Sequence, residues 1–107
     1  MLIRIVNHEV EAKLVSPAGE SCGKSEYKVY GNGERRLTVR VRRPSPGQTL
    51  TLSIAGRECA RLAAGGSGLV HDARTGRGDI VPEPREGEAI EVRIDGALIA
   101  SGVYKPD

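Results

Sequence analysis

Five arginines, Arg35, Arg36, Arg40, Arg42 and Arg43, fall within nine residues of this chain, the densest concentration of one chemistry in it. A guanidinium is a planar fork of donors that grips phosphate or carboxylate oxygens two at a time. Arg36, Arg40, Arg42 and Arg43 are therefore the candidate binding residues, for a polyanion, a nucleic acid or an acidic protein surface. Even spacing puts Arg36, Arg40 and Arg42 on one face of a strand, a cationic stripe about 20 Å long, and leaves Leu37, Val39 and Val41 on the other. The competing reading is cross-strand pairing with Glu side chains and protection of a sheet edge. Pairing is favoured, because the chain's formal charge is only +2 and no aromatic residue interleaves the arginines to stack on bases.

Other groups that could do chemistry are weaker. His71 beside Asp72 suggests an oriented general base and hence a small hydrolase-type enzyme, yet the sequence offers no nucleophile to go with it. His8, His71, Cys22 and Cys59 are conceivable zinc ligands, but no two lie at the short spacings that preorganise a structural site, so no metal and no cofactor is expected. Gly19-Glu20-Ser21-Cys22-Gly23-Lys24-Ser25 imitates a phosphate loop. It has three residues between its glycines instead of four, and is followed by the strand-like Glu26-Tyr27-Lys28-Val29-Tyr30 instead of a helix. Arg77-Gly78-Asp79 is a tripeptide that adhesion receptors read, but Gly76 and Gly78 are already explained as turn residues. The two cysteines are expected to be unbonded thiols.

These residues must be carried by a small scaffold. With 107 residues the chain has room for a single domain over 1–107, burying roughly 65% of its unfolded surface. Tyr27, Tyr30 and Tyr104 are its only aromatic residues, so the core must be aliphatic and a ring-lined pocket is disfavoured. No apolar run is long enough to span a bilayer, and the start of the chain lacks the layout of a secretion signal, which makes the cytoplasm the expected location.

Apolar residues alternate with polar ones in Leu37-x-Val39-x-Val41, Leu50-x-Leu52-x-Ile54 and Ile90-x-Val92-x-Ile94, the period of half-buried strands. Asp95-Gly96, Ala55-Gly56 and Gly31-Asn32-Gly33 supply hairpin turns, and Pro44-Ser45-Pro46-Gly47 and Pro82-Glu83-Pro84 supply loops. An all-β fold is predicted, an antiparallel β-sandwich or else a partly closed barrel.

Its most informative feature is internal. Residues 44–62 align without a gap on 84–102: Pro44 with Pro84, Gly47 with Gly87, Leu50 with Ile90, Leu52 with Val92, Ile54 with Ile94, Gly56 with Gly96, Cys59 with Ile99. Gly23, Gly31 and Gly33 match Gly68, Gly76 and Gly78 at a longer offset. The expected order is an N-terminal hairpin over 1–15 turning at Asn7-His8, then two units of two hairpins, 22–62 and 67–104, related by a pseudo-two-fold axis. The second unit would include a short strand at Ile80-Val81. Cys59, matched by Ile99, is expected to be a small core residue.

The second unit, with Gly68, Val81-Pro82, Gly87, Val92, Gly96 and Ser101-Gly102 in that order, resembles small bacterial all-β proteins of uncharacterised role. The resemblance implies a sandwich and no catalytic residues. The first copy departs from the pattern in lacking the Val-Pro pair. For function the sequence favours a non-enzymatic binding or accessory module that presents a sheet face or hairpin tips to another protein. Polyanion binding by the arginine stripe is the alternative, and an enzyme at His71-Asp72 a further one. Oligomeric state is not fixed by the sequence.

Overall fold

In the computed structural model, residues 6–42, 44–66 and 68–106 are described. They form nine strands: β1 Val6–Val15, β2 Ser21–Tyr30, β3 Arg35–Val41, β4 Thr49–Ile54, β5 Arg57–Ala63, β6 Leu69–Arg74, β7 Ala89–Ile94, β8 Ala97–Val103 and β9 Lys105–Pro106, with one 3-10 turn at Thr75–Arg77. All belong to a single antiparallel sheet in the order β5-β4-β7-β8-β1-β2-β3-β6, with β9 also on β1. The two end strands, β5 and β6, are consecutive in the chain and joined by a tight turn with a bridge between Gly65 and Gly68. The sheet therefore curls until it is nearly a closed barrel, its opposite walls facing each other as the layers of a sandwich do. The expected all-β antiparallel class is what forms, and the partly closed barrel suits an unbroken sheet.

Alternation decides what the barrel encloses. Val10, Ala12 and Leu14 of β1, Leu37, Val39 and Val41 of β3, Leu50 and Leu52 of β4, and Ile90 and Val92 of β7 are all buried. Each large aliphatic side chain removed from water contributes about 1.5 to 3 kcal/mol. One polar pair sits among them: the hydroxyls of Ser25 and Tyr104, both fully buried, are hydrogen-bonded at 2.7 Å. Burial pushes the Tyr104 phenol well above its ordinary range, so it stays neutral.

The hairpins β4–β5 and β7–β8 have the same local geometry forty positions apart. Ala55 and Gly56 have φ of 52° and 77°, and Asp95 and Gly96 have 49° and 81°, so both turns take two consecutive positive φ values. Each hairpin is bulged at the matched residue, Cys59 in one and Ile99 in the other. Gly47 N–H donates to Ala64 O at 2.9 Å and Gly87 N–H to Tyr104 O at 2.8 Å. The Gln48 side chain accepts from Ser45 N–H at 2.8 Å, as the Glu88 side chain does from Arg85 N–H at 2.7 Å. β4 and β7 are neighbours with Leu52 opposite Val92, Thr51 opposite Arg93 and Ser53 opposite Glu91. This register is unchanged when the two strands are exchanged, so a local two-fold passes through the Leu52–Val92 pair.

Two expected hairpins do not form. β1 runs straight through Asn7 and His8, and the supposed turn is only a slip in register between Val6 and His8. Its alternating Val10, Ala12 and Leu14 face a core long enough to keep the strand extended, and residues 1–5 of the proposed hairpin lie outside the described set. Ile80-Val81 is not a strand either: among the described residues, 79–88 have neither helix nor strand. Pro82 and Pro84 lack the N–H a ladder needs. Instead this segment crosses from the end of β6 to β7 with Val81 and Pro84 buried, held by Arg35, whose Nη1 donates to Val81 O at 2.9 Å and meets Glu83 at 3.0 Å.

Candidate functional site

The outward faces of β1, β2, β3 and β6 form a lattice of charge. Register places Glu9, Lys28, Arg36 and Arg74 in one row, Glu11, Glu26, Thr38 and Asp72 in the next, and Lys13, Lys24, Arg40 and Val70 in the third. The acidic row lies between two rows dominated by cations. Lys24 reaches Glu26 at 3.3 Å and Glu11 at 3.6 Å, and Lys28 reaches Glu9 at 3.5 Å. Arg36 is bidentate on Asp72, both bonds 3.0 Å, and Arg74 shares that carboxylate at 2.8 Å. Hydrogen bonds from Arg74 and then Arg36 hold the Asp72 carboxyl far below its usual range.

The arginine stripe is therefore divided. Arg36 is consumed by Asp72, a cross-strand partner of the expected kind but an aspartate on β6. Arg40 is exposed and has no ion pair among the described residues. Arg42 lies just past β3 with its Nη2 on Ser21 O at 3.2 Å, so it does not continue the strand face. Arg43 lies outside the described residues. Nor is β3 an edge needing protection, since it sits between β2 and β6.

His71 and Asp72 are not a dyad. Successive residues of a strand leave opposite faces, and Asp72 is spent on Arg36 and Arg74 outside, while His71 is half-buried on the side of Leu69 and Ala73. Desolvation lowers the His71 pKa against the opposing pull of Asp72 and Asp79. Both cysteines are unbonded. Cys59 is half-buried at its bulge, its thiol donating to Leu52 O at 3.3 Å, and burial raises its pKa. Gly23 of the loop-like motif lies in β2, where a Cβ would collide with the carbonyl oxygen of Arg40; a Cβ on Gly68, just before β6, would meet Val41 O in the same way. Those two glycines exist to let β2 and β6 close on β3.

Arg77 and Asp79 finish the β6 edge. Arg77 Nη2 donates to Asp72 O and meets Asp79 at 2.8 Å, and Asp79 Oδ2 accepts Arg74 N–H at 3.0 Å while its own N–H donates to Arg74 O at 3.1 Å. The adhesion-like tripeptide thus caps the outward backbone groups at the C-terminal end of β6. β5, the other end of the sheet, pairs only with β4, and no cap of this kind falls on its outer backbone among the described residues.

Beside that open strand lies a crevice of about 740 Å3, between the β4–β5 tip and the 80–88 segment. Ile54, Cys59, Ile80 and Pro82 give it an apolar wall, and Ile80 is 93% exposed. Its carboxylates are engaged: Glu83 with Arg35 at 3.0 Å, Glu58 with Arg61 at 3.2 Å, Glu88 with the Arg85 backbone. The guanidiniums of Arg57 and Arg85, also in its lining, have no ion pair or hydrogen bond among the described residues. No protein-family model, curated protein or solved structure matches this chain. Across the local two-fold a second crevice, of about 250 Å3, includes Ile94, Leu98, Ile99 and Gln48 where the first has Ile54, Glu58, Cys59 and Glu88. It is smaller and nearly uncharged. Arg57 and Arg85 were not singled out from sequence, yet the forty-residue alignment carries the signal: they stand where the twin has Ala97 and Ser45.

Proposed function

We propose that this protein is a non-catalytic binding module of the cytoplasm that holds a segment of a partner protein against β5. One observation carries the reading: of the two strands that end the sheet, β6 is capped at its C-terminal end by Arg77 and Asp79, and β5 has no such cap among the described residues and lies beside the larger crevice. Uncapped strands template pairing with another chain and are usually blunted, so one kept open next to a lined crevice suits addition of a partner strand. The hairpins β4–β5 and β7–β8 are read as copies of one unit, and the copy that differs in charge and crevice size is the one at this edge. Two unbonded thiols fit a reducing compartment.

Selection from a random peptide display library on the folded chain tests this. Enriched peptides are expected to slow hydrogen exchange of amides in 57–63 and to lose binding when alternate peptide nitrogens are methylated. Enriched binders that leave those amides unprotected, or selection that yields no binder at all, would overturn it.

A further inference from the structure

The crevice also constrains what the partner segment must look like. Two cations line it without counter-charges, while each of its three carboxylates already has a donor: Glu58 takes Arg61, Glu83 takes Arg35 and Glu88 takes the Arg85 N–H. Opposite them in chemistry stands a wall of Ile54, Cys59, Ile80 and Pro82, with Ile80 almost wholly in water. An exposed isoleucine beside two unpaired guanidiniums is an arrangement that folding alone does not require. The matched crevice across the two-fold folds with Ala97 and Leu98 in place of Arg57 and Glu58.

A strand added at β5 would turn alternate side chains to opposite faces. Arg57 lies opposite Ile54 on one face of the β4–β5 ladder, so the crevice such a strand would face is apolar and cationic at once. Resting on the reading of β5 as the binding edge, we infer that the occupant is an extended peptide that carries both acidic and apolar residues. Its carboxylates engage Arg57 and Arg85, and its apolar residues cover Ile80 and Pro82. A carboxylate at the chain terminus is the lesser source, because one terminus supplies a single carboxylate for two guanidiniums, and acidic side chains two residues apart supply both.

The probe is a fluorescein-labelled hexapeptide, Glu-Val-Glu-Val-Glu-Val, acetylated and amidated so that side chains hold every carboxylate, with a Lys-Val repeat as its counterpart. Fluorescence anisotropy on the full chain is expected to show the acidic peptide binding and the lysine peptide not, with affinity falling as salt rises. Arg57→Gln with Arg85→Gln should weaken the acidic peptide about tenfold, the size expected for two exposed ion pairs. Arg57→Glu with Arg85→Glu should reverse the preference. Circular dichroism of each variant verifies the fold, which the exposed positions of both arginines leave intact. Equal binding of the two peptides, or acidic binding indifferent to both double variants, would overturn the charge inference and leave the β5 edge reading standing. No acidic binding at millimolar peptide would overturn it as well. Library-selected binders that protect 57–63 yet carry no acidic residues would then locate the failure in the sequence class and not in the edge.

Discussion

Asp72 shows at the residue scale how a conspicuous functional signal becomes structural. An arginine cluster reads as a ligand surface only until the strand opposite is known, and β6 brings a carboxylate into line with Thr38 and within reach of Arg36 and Arg74. Because the folded pKa of Asp72 lies below its ordinary 3.8, its ionised form stabilises the native state. That contribution is intact above about pH 4 and is lost as pH falls through lower values. The carboxylate is partly exposed, which limits it to about 1 kcal/mol. Asp72→Asn should therefore cost about 1 kcal/mol in urea unfolding at pH 7, with the gap closing as the medium approaches pH 2. A variant as stable as the parent at pH 7 would show that Arg36 and Arg74 are indifferent to it. Only part of this is legible in the sequence. Pairing of Arg36 was expected, but its partner depends on which strand lies beside β3, and alternation along one strand says nothing about its neighbours.

The elements differ in how plainly the sequence announces them, and the reason is physical. β3, β4 and β7 announce themselves because one face is buried and the other wet, so Leu37-x-Val39-x-Val41 and its counterparts alternate cleanly. The segment 79–88 carries the same aliphatic residues in Ile80 and Val81, yet has no partner strand to accept its backbone, and Arg35 fixes it as a strap instead. β1 was cut short for the opposite reason, because Asn7-His8 looks like a turn whereas a single register slip accommodates it. The β6 edge has its own consequence. Arg74 N–H is satisfied by the Asp79 carboxylate in a charge-assisted bond. Asp79→Ala should speed hydrogen exchange at Arg74 by about tenfold or more and increase self-association through the uncovered strand. Exchange unaltered in that variant would mean the cap does not protect the edge.

Across the whole molecule, the local two-fold between the β4–β5 and β7–β8 hairpins separates what folding needs from what it leaves open. Positions equivalent across the Leu52–Val92 axis agree wherever the barrel is closed or turned: Pro44 and Pro84 are both buried, Leu50 and Ile90 both fully so, and the turn glycines share their φ values. They disagree at the mouth of the larger crevice, where Arg57, Glu58 and Cys59 replace Ala97, Leu98 and Ile99. If agreement reflects the requirements of packing and disagreement the requirements of binding, the two can be uncoupled by transplanting one hairpin onto the other. A chain whose residues 47–61 carry the sequence of 87–101 keeps every inward position apolar and both turn glycines, with Leu50→Ile and Leu52→Val in the core and Cys59→Ile at the bulge. Volume-conserving aliphatic exchanges in a core cost little, typically below about 1.5 kcal/mol each. The chimera should fold with an unchanged β spectrum and a cooperative transition, within about 3 kcal/mol of the parent, and should bind the acidic peptide more weakly. A chimera that unfolds would show the two hairpins to be inequivalent in packing, and one that binds as tightly as the parent would place recognition outside Arg57, Glu58 and Cys59.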